Sequence, residues 1–180
     1  MIEMNIKGLM VDPITNMPII ILRDVEGQKV LPIWVGVFEA NAIALQIENI
    51  QTPRPMTHDL LRNVIQDLQA NVEKIVVCDL KENTFYALIH LRTPHGPVAI
   101  DARPSDAIAL AVRTDVPIYV EPHVFERAGT TAEDEESAAL DEPPAEESEP
   151  EVADEEGLSP FREFINSLDF EDDEGKKGKQ

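Results

Sequence analysis

Four polar side chains fall within six residues in the run DARPSDAIALAVR, which covers 101–113: Asp101, Arg103, Ser105 and Asp106. Their types suit phosphate chemistry. A guanidinium such as Arg103 grips a phosphate through paired hydrogen bonds. A helix N-terminus attracts anions, and a carboxylate can hold a hard cation or orient a water. Pro104 fits the start of a helix, where Ser105 or Asp106 could cap free N–H groups. The same residues therefore also suit a large capping motif with an Arg–Asp pair bridging strand and helix. Three groups elsewhere could join them. Glu39 falls in the first turn of an earlier helix, where an acid is favourable, and where a half-buried carboxylate could act as ligand or base. His58, beside Asp59 at another helix start, could carry a proton. His90 lies on an alternating strand, and Arg54 and Arg62 could add local positive charge.

Familiar catalytic patterns are missing: there is no Walker loop, G-x-G-x-x-G, G-x-S-x-G or H-E-x-x-H. The four histidines (58, 90, 95 and 123) form no pair at metal-ligand spacing, and a single cysteine excludes a cysteine-built zinc site. Any metal is then expected on carboxylates, with Glu39, Asp101 and Asp106 as its ligands, which suits Mg²⁺ or Mn²⁺.

The elements that must position these groups are legible in the periodicity. Residues 2–12, 19–22 and 29–35 read as an antiparallel meander. Pro32 marks the third strand as an edge or bulged strand, because it lacks an N–H. Residues 37–49 carry Ala40, Ile43, Ala44 and Ile47 at helical spacing. Thr57 is placed to cap a second helix striped by Leu60, Leu61, Val64, Ile65 and Leu68. Ile75 to Cys78 run together as in a strand covered on both faces, which makes Cys78 a small core residue. Residues 84–92 alternate, and 97–102 return as a hairpin. A four-residue loop at 93–96 sets Arg92 opposite Pro97, His90 opposite Ala99 and Leu88 opposite Asp101. The same register places Tyr86, His90, Asp101 and Arg103 on one face. Ala107–Val112 is apolar nearly all round, so its helix is buried, with Ala107 and Ala111 allowing a close neighbour. Residues 116–120 give a last strand, and 124–128 end the domain. The expected class is α+β, a mixed or antiparallel sheet with about three packed helices.

Charge divides the chain. Residues 1–130 hold 16 acidic and 11 basic side chains, whereas 131–180 hold 19 and 4. The first part is a domain of 1–130. Residues 131–157 are an acidic linker, expected to be disordered because they lack apolar groups to bury. Residues 158–170 form a short amphipathic helix with Phe161, Phe164, Ile165 and Leu168 at i, i+3, i+4 and i+7. Such a helix is marginal alone and makes sense when docked on its own domain or a protein partner. Residues 171–180 are a disordered tail. No apolar run is long enough to span a membrane, and the N-terminus lacks a signal-peptide pattern, so a cytoplasmic protein is expected. Neither part has the basic footprint of a nucleic-acid binder.

Three segments in order, LPIWVGVFEANAIALQIE (31–48), TPRPMTHDLLRNVI (52–65) and IDARPSDAIALAVRTDVPIYV (100–120), resemble the signature of the bifunctional nuclease domain family, also known as a domain of unknown function. The resemblance covers roughly residues 1–130. The ending SPFREFINSLDF is similar to the tail helix of many bacterial members, and the long acidic insert departs from their shorter linker. Membership implies an α+β fold, homo-oligomers with a dimer favoured, and activity on DNA and RNA reported for plant members. Matching positions are Glu39, Arg54, Thr57, His58, Asp59, Asp101, Arg103, Ser105 and Asp106. The resulting expectation is a nuclease with Glu39, His58, Asp101 and Asp106 catalytic, and Arg54, Arg103 and Ser105 on the phosphate. The rival expectations are a non-enzymatic oligomeric module using the C-terminal helix, and a phosphometabolite binder.

Overall fold

The computed structural model describes residues 1–131. The expectations for the acidic linker beyond Thr131, the helix at 158–170 and the tail at 171–180 lie outside the described residues. The elements are β1 (Ile2–Val11), β2 (Pro18–Asp24), β3 (Lys29–Trp34), α1 (Val37–Ile47), α2 (Thr57–Asp67), β4 (Asn71–Lys81), β5 (Thr84–Thr93), β6 (Gly96–Ala102), α3 (Pro104–Thr114), β7 (Ile118–Val120), α4 (Pro122–Ala128) and β8 (Thr130–Thr131). The strands form one sheet in the order β6-β5-β4-β7-β1-β2-β3-β8. Every pairing is antiparallel except that of β4 with β7. The class is α+β with a mixed sheet, as expected, but with four helices among the described residues. The fourth, α4, hides in the sequence because it is short, opens on Pro122 and buries only Val124. Among the described residues no helix is long and apolar enough to cross a membrane.

The helix α3 is the hub. Eight of its eleven residues are buried, so it cannot be a surface helix. It lies on β4 and β5, and both α1 and α2 pack against it. Ala107 and Ala111, fully buried or nearly so, let these neighbours come close. Ile43, Ile75, Val77, Ile108 and Leu110 are fully buried around it, and burying each such side chain contributes about 1.5–3 kcal/mol. One polar residue, Arg113, ties the helix layer together. Its Nη2 donates to the Ala42 carbonyl of α1 at 2.8 Å, its Nε to Asp59 of α2 at 2.7 Å, and its Nη1 to the Ala109 carbonyl at 2.8 Å. A buried cation is tolerable only when its donors are used in this way.

The strand patterns explain themselves. Ile75, Val76 and Val77 are all buried, as a strand covered on both faces requires. On β5, Ala87, Ile89 and Leu91 point to the helices. The hairpin register is the expected one: Arg92 faces Pro97, His90 faces Ala99 and Leu88 faces Asp101. Pro32 sits opposite Ile21 on β3, whose other edge is paired with β8 only at Lys29 and Val30.

Three local expectations change. Cys78 is half-buried rather than in the core: it sits at the bulge between Val77 and Asp79, where its thiol meets the Tyr86 carbonyl. Thr57 is the first helical residue of α2, not its cap. The free N–H of Met56 is taken instead by Asp59 Oδ2 at 3.0 Å. At α3 the N-cap is Arg103, and neither Ser105 nor Asp106 makes a cap hydrogen bond.

Candidate active site

The first turns of three helices meet at one place. Gly36 precedes α1 and sets Glu39 at its third position, His58 is the second residue of α2, and Asp106 is the third of α3, whose N-cap is Arg103. Strand β6 ends at Ala102, and Arg103 leaves it with extended dihedrals (φ −68°, ψ 144°), which carries its side chain off the sheet toward the other two helices.

The side chains form a linked set. Arg103 Nε donates to Asp106 Oδ2 at 2.7 Å, and its Nη2 lies 3.1 Å from Asp106 Oδ1 and 2.8 Å from Glu39 Oε1. His58 Nε2 is 3.0 Å from Asp106 Oδ1. The imidazole of His58 is buried, whereas the Arg103 side chain is 66% exposed. Burial pushes the Asp106 carboxyl up, but the hydrogen bonds from Arg103 and His58, and then their charges, outweigh it and hold its pKa below the ordinary value. The Arg103 pKa is raised, first by the hydrogen bond to Asp106 and then by its charge. All four residues line a hollow of about 380 Å³, together with Phe38, Asn41, Ala42, Met56 and Thr57. A second, slightly larger hollow of about 410 Å³, sharing Met56, is walled by Asp59, Arg62 and Arg113. There the one carboxylate, Asp59, is held by Arg113, and no histidine lines the wall.

Of the residues singled out by type and spacing, Glu39, His58, Arg103 and Asp106 come together. Asp101 stands apart. Its partner Leu88 shares with Val76 the sheet face turned away from α3, so Asp101 points away from the cluster. The expectation that Tyr86, His90, Asp101 and Arg103 share one face fails at Arg103, because the strand ends before it. Ser105 is buried and lines a neighbouring hollow of about 290 Å³ with Arg103 and Pro104. Arg54 is exposed in the α1–α2 connection and does not line the main hollow. Among the described residues no three His, Cys, Asp or Glu side chains converge in a metal-holding group. Spacing does not mark Phe38 and Asn41, on the wall of the main hollow. Asn41 carries a buried Oδ1 with no hydrogen-bond partner. Its one signal in the sequence is its place two residues after Glu39, on the same first turns of α1.

Fold and site together are those of an α+β domain that gathers an imidazole, two carboxylates and a guanidinium at three helix N-termini. A model of the bifunctional nuclease domain matches residues 20–133, and the chain belongs to that family. It is 39% identical over 171 residues to an uncharacterized protein of Mycobacterium tuberculosis, covering 94% of this chain and 96% of the relative. It is also similar to bifunctional nuclease 1 of Arabidopsis thaliana, 27% identical over 111 residues, and to bifunctional nuclease 2 of Oryza sativa subsp. japonica, 29% identical over 121 residues. Those matches cover 59% and 64% of this chain but only 34% and 37% of the plant proteins.

Proposed function

We propose that this chain is a nuclease that hydrolyses phosphodiester bonds of DNA and RNA. The observation that carries the reading is the meeting of Glu39, His58, Arg103 and Asp106 in one open hollow, supplied by the N-termini of three helices and the residue before the third. Asp106 accepts from His58 Nε2 and so holds the imidazole in the tautomer whose Nδ1 is the base. That nitrogen takes a proton from the attacking water. Arg103 keeps Nη1 outside its bonds to the two carboxylates, and this edge of the fork meets the phosphate. Three helix N-termini add partial positive charge where the phosphate sits. Glu39 and Asp106 are the oxygen donors that would hold Mg²⁺ or Mn²⁺. Two carboxylates suit a cation completed by substrate oxygens, and such a cation would neutralise charge growing on the phosphate.

The test uses the purified full chain with labelled DNA and RNA strands, in Mg²⁺, Mn²⁺ or a chelator. Cleavage that needs the cation and falls in His58→Ala and Arg103→Ala supports the reading. No cleavage under any condition, or cleavage indifferent to both substitutions, refutes it.

A second reading, self-association into a dimer, is favoured by α2. Only Ile65 and His58 of that helix are buried, whereas Leu60, Leu61, Val64 and Leu68 stay exposed. The free sheet edge β6 also exposes Val98 and Ile100. Exposed apolar stripes and free edges mark association surfaces. Sedimentation velocity of the chain and of Leu60→Glu with Val64→Glu decides it: a dimer that the pair of changes splits supports the reading, and a native monomer removes it. We place the protein in the cytoplasm, which fractionation of cells expressing the full chain would check.

A further inference from the structure

Two large, exposed aromatic side chains line the two hollows that share Arg103. Phe38, in the first turn of α1 and directly before Glu39, is 87% exposed. It lines the main hollow with Arg103, His58 and Asp106. Trp34, at the end of β3, is 52% exposed. It lines the neighbouring hollow, whose wall also includes Arg103 and Pro104. Arg103 is thus common to both hollows. Neither ring serves the core: α1 packs through Ala40, Ile43 and Ala44, and the inward residue of the β3 end is Ile33. Trp34 is tethered by its edge, since Nε1 donates to Asp12 Oδ2 at 3.3 Å, which orients the indole without covering it.

We infer that Phe38 and Trp34 are base-stacking residues, and that the strand taken at Arg103 is single-stranded, with one base on each side of the held phosphate. The inference rests on the nuclease reading above and names its substrate form. Stacking on an aromatic ring needs a base whose face is free, and every base has one, so the contact is indifferent to sequence. In a duplex those faces are stacked on their neighbours, and only the phosphates remain for Arg103. The mildly acidic domain supplies little long-range attraction, so a strand must be held by such short-range contacts. The one phosphate contact, at Arg103, leaves binding only shallowly dependent on salt.

Trp34 is the chain's one tryptophan, so its fluorescence reports on the proposed contact without a label. The full chain is titrated at low salt, without divalent cation, with a short single-stranded oligonucleotide and with a duplex of equal phosphate concentration. The expected result is quenching by the single strand at concentrations where the duplex gives none, and a dissociation constant about tenfold weaker in Phe38→Ala. Because Phe38 is so exposed, that variant keeps its fold, which circular dichroism confirms. Trp34→Ala, followed by anisotropy of a labelled strand, is expected to weaken binding to a similar degree. Equal binding of single strand and duplex, unchanged by either substitution, overturns stacking while leaving the nuclease reading intact. Selective single-strand binding with no cleavage in any cation does the reverse. Absence of binding by either nucleic acid overturns the inference.

Discussion

His58 Nε2 and Asp106 Oδ1 lie 3.0 Å apart, although 48 residues separate them in sequence. The contact joins the starts of α2 and α3 and places a buried imidazole against a carboxylate that Arg103 holds from its other side. One carboxylate thus orients both an imidazole and a guanidinium.

Asp106→Asn should therefore do more damage to turnover than to folding. The amide keeps the shape but offers one oxygen where the carboxylate offered two, and it lacks the charge that orients His58. Cleavage is expected to fall by about 10²-fold or more, with the circular dichroism spectrum unchanged. Full activity in the Asp106→Asn protein would exclude the dyad from the reaction.

The pH dependence follows from the same carboxylate. Its pKa lies below the ordinary value of 3.8, because the hydrogen bonds from Arg103 and His58 outweigh burial. A depressed carboxylate stabilises the fold fully above its unfolded value and loses that contribution as pH falls through its folded value. Asp59 is shifted the same way: burial pushes it up, but the hydrogen bond from Arg113 leads the influences that outweigh burial. Thermal melts should thus show stability dropping from about pH 4 downward, with a shallower drop in Asp106→Asn. An identical acid limb in the two proteins would contradict the coupling.

Gly36→Ala tests Glu39 indirectly. A methyl group added at Gly36 would collide with Glu39 Oε2, the free end of a flexible side chain. The Gly36 backbone has φ −70°, which alanine adopts without strain. The carboxylate should swing off Arg103, leaving the melting temperature nearly unchanged while cleavage drops several-fold. A large loss of stability would show instead that the Gly36 turn itself cannot accept a side chain.

Arg113→Met probes the hub. The change leaves Asp59 without its cation and the Ala42 carbonyl without its Arg113 donor. Removing one member of a buried pair costs about 3–5 kcal/mol, and the solvent that reaches Asp59 places the expected loss near the lower end. Urea denaturation would measure it, and a loss under about 1 kcal/mol would mean that Arg113 is dispensable to the helix layer.

Much of this is legible in the residues alone. Period-two alternation gives β5 its buried face, and the length of the 93–96 loop gives the hairpin register through Asp101. The apolar run after Asp106 marks a buried helix, and the polar residues around 103–106 mark the place where the helix starts converge. What fails has a common cause. Spacing reports which face a residue occupies only while its element continues, and β6 stops one residue before Arg103. Asp101 and Arg103 therefore part company, although they alternate correctly. The α2 stripe of Leu60, Leu61, Val64 and Leu68 reads as a core face, yet a pattern cannot say whether the apolar neighbour belongs to the same chain. Phe38 and Trp34 look like ordinary apolar residues, because exposure is a property of packing rather than of residue type.

The strand β7 carries a further consequence, one of timing. It is three residues long, yet among the described strands it alone joins the β4–β5–β6 meander to the β1–β2–β3 meander, pairing with β4 on one side and β1 on the other. Glu39 follows the first meander, and Arg103 and Asp106 follow the second. The sheet is therefore completed by pairings between strands far apart in the chain, Ile118–Val120 with Ile2–Met4 and with Ile75–Val77. Such sequence-distant closure is slow. The packing of α1 and α2 on α3 gives the two halves a second tie, so the groups around Arg103 do not depend on that pairing alone.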